Sequence, residues 1–74
     1  MDVHIKLIGI FKIDRFSEQY LNFPAETKVQ DVVEALQLPQ QHFGIVLING
    51  SHAASESLLA DGDQVVIMPF VDGG

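Results

Sequence analysis

Only one stretch of this chain repeats its apolar residues with a helical period. Val29, Val32, Val33 and Leu36 fall at i, i+3, i+4 and i+7, one stripe of a short helix with Gln30, Asp31 and Glu34 outside it. The rest reads as strands and tight turns. The order of elements predicts an α+β arrangement in which the helix lies across a mixed sheet.

The strands follow from alternation and from their punctuation. Val3 to Phe11 sets Val3, Ile5 and Leu7 against His4 and Lys6, a period of two that predicts a half-buried strand. Gly9 interrupts it, at a bulge or a close backbone approach. Lys12 to Ser17 reads as a turn, and Glu18 to Phe23 as the partner strand of an N-terminal hairpin. Pro24 stops that strand. Thr27-Lys28-Val29-Gln30 then fits a capping box, with Thr27 as the helix N-cap. Leu38-Pro39 is expected to end the helix, because the residue before proline is pushed out of the helical region.

Gly44 to Ile48 is a nearly continuous apolar run and predicts a central strand covered on both faces. Asn49-Gly50 is a strong hairpin signal, since both residues tolerate positive φ. Ser51 to Ala54 would be the short return strand, Ser55 to Ala60 an irregular or single-turn segment, and Asp61-Gly62-Asp63 a second tight turn. Gln64 to Phe70 is the last strand. Val66, Met68 and Phe70 share one of its faces, and Val65 and Ile67 the other. A helix on one side alone cannot bury both sets. One set is therefore expected to form a partly exposed apolar docking patch.

Seventy-four residues allow one compact domain, and with no cysteine its stability must come from packing the 47% of hydrophobic residues. No apolar run approaches the roughly 20 residues of a membrane span, and the N-terminus lacks a signal-peptide layout. A cytoplasmic protein is the expectation. The formal net charge is -6, and the four basic residues, Lys6, Lys12, Arg15 and Lys28, are scattered in the first part of the chain. Without a Lys/Arg cluster to displace counterions, nucleic acid and anionic membranes are poor partners. A basic protein groove suits the acidic remainder better.

The order of elements, closed by Gly73-Gly74 directly after the final strand, resembles the ubiquitin-like β-grasp fold: a mixed sheet of four to five strands with one main helix across it. More narrowly, the chain resembles the MoaD/ThiS family of sulfur carriers. The residues that carry the likeness are Asn49-Gly50, Leu59-Ala60-Asp61-Gly62-Asp63-Gln64-Val65, Pro69-Phe70-Val71-Asp72-Gly73-Gly74 and the helix start from Thr27 to Leu36. Asp72 stands where such carriers often have a small or hydroxylated residue. The Pro-x-Val-x-Gly-Gly ending leans towards the molybdopterin branch.

The resemblance implies a protein co-substrate without a catalytic residue or cofactor of its own. An activating enzyme of the E1 type would use ATP to adenylate the Gly74 carboxylate. Sulfur would then replace AMP, leaving a thiocarboxylate that serves a sulfur-accepting synthase. That synthase would be the large subunit of molybdopterin synthase or a thiazole synthase. A ubiquitin-like modifier or binding module that carries no sulfur is the alternative. In this frame residues 1–70 form the domain and 71–74 a flexible tail.

The physical demands of that role match the residues. A carboxylate of pKa about 3.3–3.7 is ionised and inert at neutral pH until it is activated. Four residues beyond Phe70, at about 3.6 Å each, reach roughly 14 Å into a partner. Glycine at the end removes the Cβ atoms that would clash in a narrow channel. Gly74 is thus the candidate attachment point, with Val71, Asp72 and Gly73 threading the partner's active site and Met68, Pro69 and Phe70 docking beside it. No competing chemistry assembles from the rest. His4, His42 and His52 lack metal-ligand spacing, Ser51 and His52 point to opposite faces of a strand, and Asp61-Gly62-Asp63 lacks the other ligands of a calcium loop.

Overall fold

The computed structural model describes residues 1–38 and 43–69. The elements are β1 (Asp2–Leu7), a 3₁₀ turn (Gly9–Lys12), β2 (Glu18–Asn22), α1 (Val29–Ala35), β3 (Phe43–Ile48), β4 (Ser51–His52) and β5 (Gln64–Pro69). The strands form one sheet in the order β2-β1-β5-β3-β4. β1 and β5 run parallel, and the remaining pairs are antiparallel. This is the mixed β-grasp sheet expected, with β5 in the middle.

The alternation of β1 and β5 sorts one face inward. Val3, Ile5, Leu7, Val65 and Ile67 are buried, together with Val46 of β3 and Val29, Val32 and Val33 of α1. The helix stripe read from the sequence therefore meets the strand faces read from the sequence. Asn49 and Gly50 turn the β3–β4 hairpin with φ of 51° and 85°, as a two-residue turn of the primed kind requires. Gly62, with φ of 86°, turns the chain into β5, and its N–H donates to the Asp2 carbonyl at 2.8 Å.

Four local expectations change in the fold. β1 stops at Leu7 rather than running to Phe11, because Gly9 takes φ of 62° and starts the 3₁₀ turn, which carries Phe11 into the core. The helix N-cap is Lys28 rather than Thr27. The Thr27 hydroxyl donates instead to the Pro24 carbonyl at 2.7 Å, while Asp31 reaches back to accept the Lys28 N–H at 2.9 Å. The first helical N–H groups of α1 are satisfied from far along the chain: Val29 donates to Ser57 O and Gln30 to Ser55 O, both at 3.0 Å.

The helix also ends before Leu38-Pro39. Gln37 adopts φ of 53°, its N–H bonds Glu34 O and that of Leu38 bonds Val33 O. This is a Schellman close with glutamine where glycine is usual. Arg15 clamps the same end, its guanidinium donating to Leu36 O at 3.0 Å and Gln37 O at 2.8 Å. Finally, β3 is not covered on both faces. Val46 is buried, but Ile45 and Leu47 are half-buried on the side away from the helix.

Candidate functional site

The site begins where β5 ends. Pro69 is the last residue of that strand, and its main chain pairs with Phe43 of β3. A proline cannot donate to a ladder, so it belongs at such an end. On the other side, Ile8 donates its N–H to Ile67 O at 3.0 Å, and Gly9 packs on the proline ring. A Cβ built on Gly9 would sit 3.2 Å from Pro69 Cγ, and Gly9 also needs its φ of 62°. Gly9 thus makes the close approach that its interruption of an apolar run suggested. The chain leaves the sheet from its centre, held between the end of β1 and the start of β3.

The outward residues of β5 lead to this point. Val66 and Met68 are half-buried, whereas Val65 and Ile67 are buried, so the partly exposed set expected from alternation is the outward one. Val66 pairs with Leu47 and Met68 with Ile45. Directly opposed residues on one sheet face lie within about 5.5 Å at Cβ, so the four side chains form one apolar patch. Lys6 lies beside Val66 in the β1–β5 register, and His52 lies beyond Leu47. The patch runs along β5 to Pro69 and so adjoins the exit.

Two of the predicted site residues are therefore placed: Met68 in the outward patch and Pro69 at the exit. Phe70, Val71, Asp72, Gly73, Gly74 and His42 lie outside the described residues. Ile45 and Leu47 were missed as patch members, although the signal existed. The argument that one helix cannot cover both faces of β5 applies equally to its neighbour β3. Ile10, read as part of the first strand, and Ile13, read as part of a turn, are 38% and 60% exposed and add apolar surface in and after the 3₁₀ turn.

Several of the remaining polar groups are engaged locally. Asp63 accepts from Ala60 N and from Asn49 Nδ2, and Asn49 Oδ1 accepts from Gln64 N, which ties the two turns together. His4 stands on the outward face of β1, 3.2 Å from Glu18 through Nε2, its ring 4.9 Å from that of Tyr20 and tilted 50° to it. Among the described residues no His, Asp or Glu group is arranged to hold a metal ion, and no helix is long and apolar enough to cross a membrane.

A helix packed on one face of a five-stranded mixed sheet, with the chain leaving from the centre, defines a ubiquitin-like β-grasp protein. The model of the ThiS family matches residues 8–74, and the chain belongs to that family of small carrier proteins. Similar solved structures include SAMP1 from Haloferax volcanii, 25% identical with a TM-score of 0.79 and complete coverage of both chains. A molybdopterin converting factor subunit 1 from Pyrococcus furiosus is 21% identical over 96% of this chain and 99% of that one, also at 0.79. Subunit 1 in a complex of subunits 1 and 2 of the Helicobacter pylori molybdopterin-converting factor is 18% identical over the full length of both chains, at 0.67. No curated protein matches this chain.

Proposed function

We propose that this protein is a sulfur carrier whose working group is the Gly74 carboxylate. The observation that carries the reading is the extent of the family match, which runs to residue 74 and so takes in Gly73-Gly74. The surface around the exit supports it. An apolar patch beside the place where the chain leaves the sheet lets a partner grip the domain while it receives the tail.

The chemistry belongs to the partners. An E1-like enzyme joins the carboxylate to the α-phosphate of ATP and releases pyrophosphate. Sulfide attacks the acyl carbon and expels AMP, leaving the thiocarboxylate. Where the attacker is a persulfide, the product is an acyl disulfide that a thiol must reduce. The tail then gives its sulfur to a synthase. Molybdopterin formation is the favoured destination, on the Pro69-to-Gly74 ending and the molybdopterin converting factor neighbours; thiazole synthesis is the other. Val71, Asp72 and Gly73 would line the channel, with Met68, Pro69 and Phe70 against its mouth. The work would take place in the cytoplasm, with residues 1–70 as the folded carrier and 71–74 as its arm.

The test is intact-mass spectrometry after incubation with the activating enzyme, ATP and a sulfur donor. Exchange of one oxygen for sulfur, lost when Gly74 is deleted, is the expected result. An unchanged mass, with the enzyme shown active on another carrier, defeats the proposal. A second reading has its own support, since a similar structure, 24% identical, is described as a small archaeal modifier protein. That reading expects isopeptide-linked products on lysines, which the same spectra would display.

A further inference from the structure

We infer that Asn49 is a site of spontaneous deamidation that the fold holds shut, so that the modification marks chains whose β3–β4 turn has opened. The chemistry needs only two neighbours in sequence. The backbone nitrogen of Gly50 attacks Cγ of Asn49, gives up its proton to solvent and expels the side-chain amide as ammonia. A five-membered succinimide is left. Water then opens the ring at one of its two carbonyls. The product is aspartate, or isoaspartate, in which the main chain runs on through the side-chain carbon. One water enters and one ammonia leaves, with no change of oxidation state.

Asparagine is a thermolabile residue, and a following glycine leaves the attacking nitrogen unhindered because it has no Cβ. The chain has two asparagines, Asn22 before Phe23 and Asn49 before Gly50. The second alone has that freedom. Asn49 and Gly50 are both exposed, and a Cβ built on Gly50 would meet nothing within 4 Å. Among the described residues the Gly50 N–H donates to no main-chain acceptor. Nucleophile, electrophile and water are all at hand.

The folded geometry keeps them apart. A succinimide ring is nearly flat, so closing it requires Cβ of Asn49 and the Gly50 nitrogen to eclipse about the Cα–C bond. With φ of 51° and 85°, the turn is of type I′, whose first central residue has ψ of about +30°. That value sets the two atoms on nearly opposite sides of the bond. The side chain is also held at both ends: Nδ2 donates to Asp63 Oδ1 and Oδ1 accepts from Gln64 N, each at 2.9 Å. Swinging Gly50 round breaks the Ile48–Ser51 register instead. Reaction therefore waits for the turn to open. That opening is local, since β4 is a two-residue strand at the sheet edge, and such elements open well below the cost of global unfolding. Either product keeps the turn from closing as before. Aspartate sets a carboxylate against that of Asp63 where an N–H donated, and isoaspartate adds a main-chain carbon to a two-residue turn.

The test follows the amide-to-acid mass gain in mildly alkaline buffer, with peptide mapping to place it and isoaspartate counted at Asn49. In urea the unfolded chain is expected to deamidate at Asn49, and Gly50→Ala to slow it there. The native protein should react at least about tenfold more slowly than the unfolded chain. Asp63→Ala frees one end of the side chain and is expected to speed the native reaction several-fold while keeping a cooperative melt. Should that variant not fold, wild-type protein in urea below its midpoint gives the reading, where the rate must rise ahead of the loss of helix signal. Asn49→Asp, which makes one product directly, should melt at a lower midpoint than the wild type. Native protein that deamidates as fast as the unfolded chain overturns the inference. So does an unmodified Asn49 in urea, or a folded Asp63→Ala that reacts no faster than wild type.

Discussion

The two faces of this sheet are built from the same strands and much the same residues, yet they serve different ends. On the inner face Val3, Ile5, Leu7, Val46, Val65 and Ile67 meet the helix and are all but sealed from solvent. On the outer face Ile45, Leu47, Val66 and Met68 are equally apolar but only half-buried. Hydrophobicity alone does not distinguish the two sets. The difference is the presence of a second layer, and an apolar face without one, next to the exit of the chain, is the surface a partner would cover.

The largest effect that would sharpen this comparison is expected on the inner face. Ile67→Ala removes a fully buried side chain and should cost about 2–5 kcal/mol in denaturant unfolding. In a 74-residue domain that is a large share of total stability. An effect below about 1 kcal/mol would mean that the inner layer is not the core. One residue along the same strand the expectation reverses. Met68→Ala should change stability by about 1 kcal/mol or less, while binding to the activating enzyme, measured by calorimetry, weakens by at least tenfold. Should the two variants melt alike, the distinction between the faces fails.

Smaller effects probe the backbone where the faces meet. Gly9→Ala must hold an L-residue at positive φ and press its Cβ on Pro69. A loss of about 1–2 kcal/mol is expected, readable as a lower midpoint at unchanged denaturant slope. No loss would show that the close approach at the exit is not maintained. Gln37→Gly should do the opposite. Relieving the left-handed residue that closes α1 is expected to add up to about 1 kcal/mol, and a destabilised variant would contradict the Schellman geometry there.

Much of this architecture was legible because its signals are local. The stripe from Val29 to Leu36, the alternation in β1 and β5, and the turns at Asn49-Gly50 and Asp61-Gly62-Asp63 each depend on side chains a few residues apart. The family motifs were legible for the same reason, and the family match over residues 8–74 takes in all of them. Local reading stumbled where one segment's needs are met by another. Thr27 looked like a cap, yet the N–H groups of α1 are served by the carbonyls of Ser55 and Ser57.

By itself, then, the sequence determined the kinds of elements, their order and which residues of β1, β5 and α1 face one another. These follow from periods of 2 and 3.6, which the covalent chain imposes on any fold. Only the tertiary structure decided where β1 stops, what caps the helix, and that Ile45 and Leu47 join Val66 and Met68 on an open face. Each of these depends on strand order and on the single helix lying to one side. Pairing across dozens of residues leaves no period in the sequence of either partner.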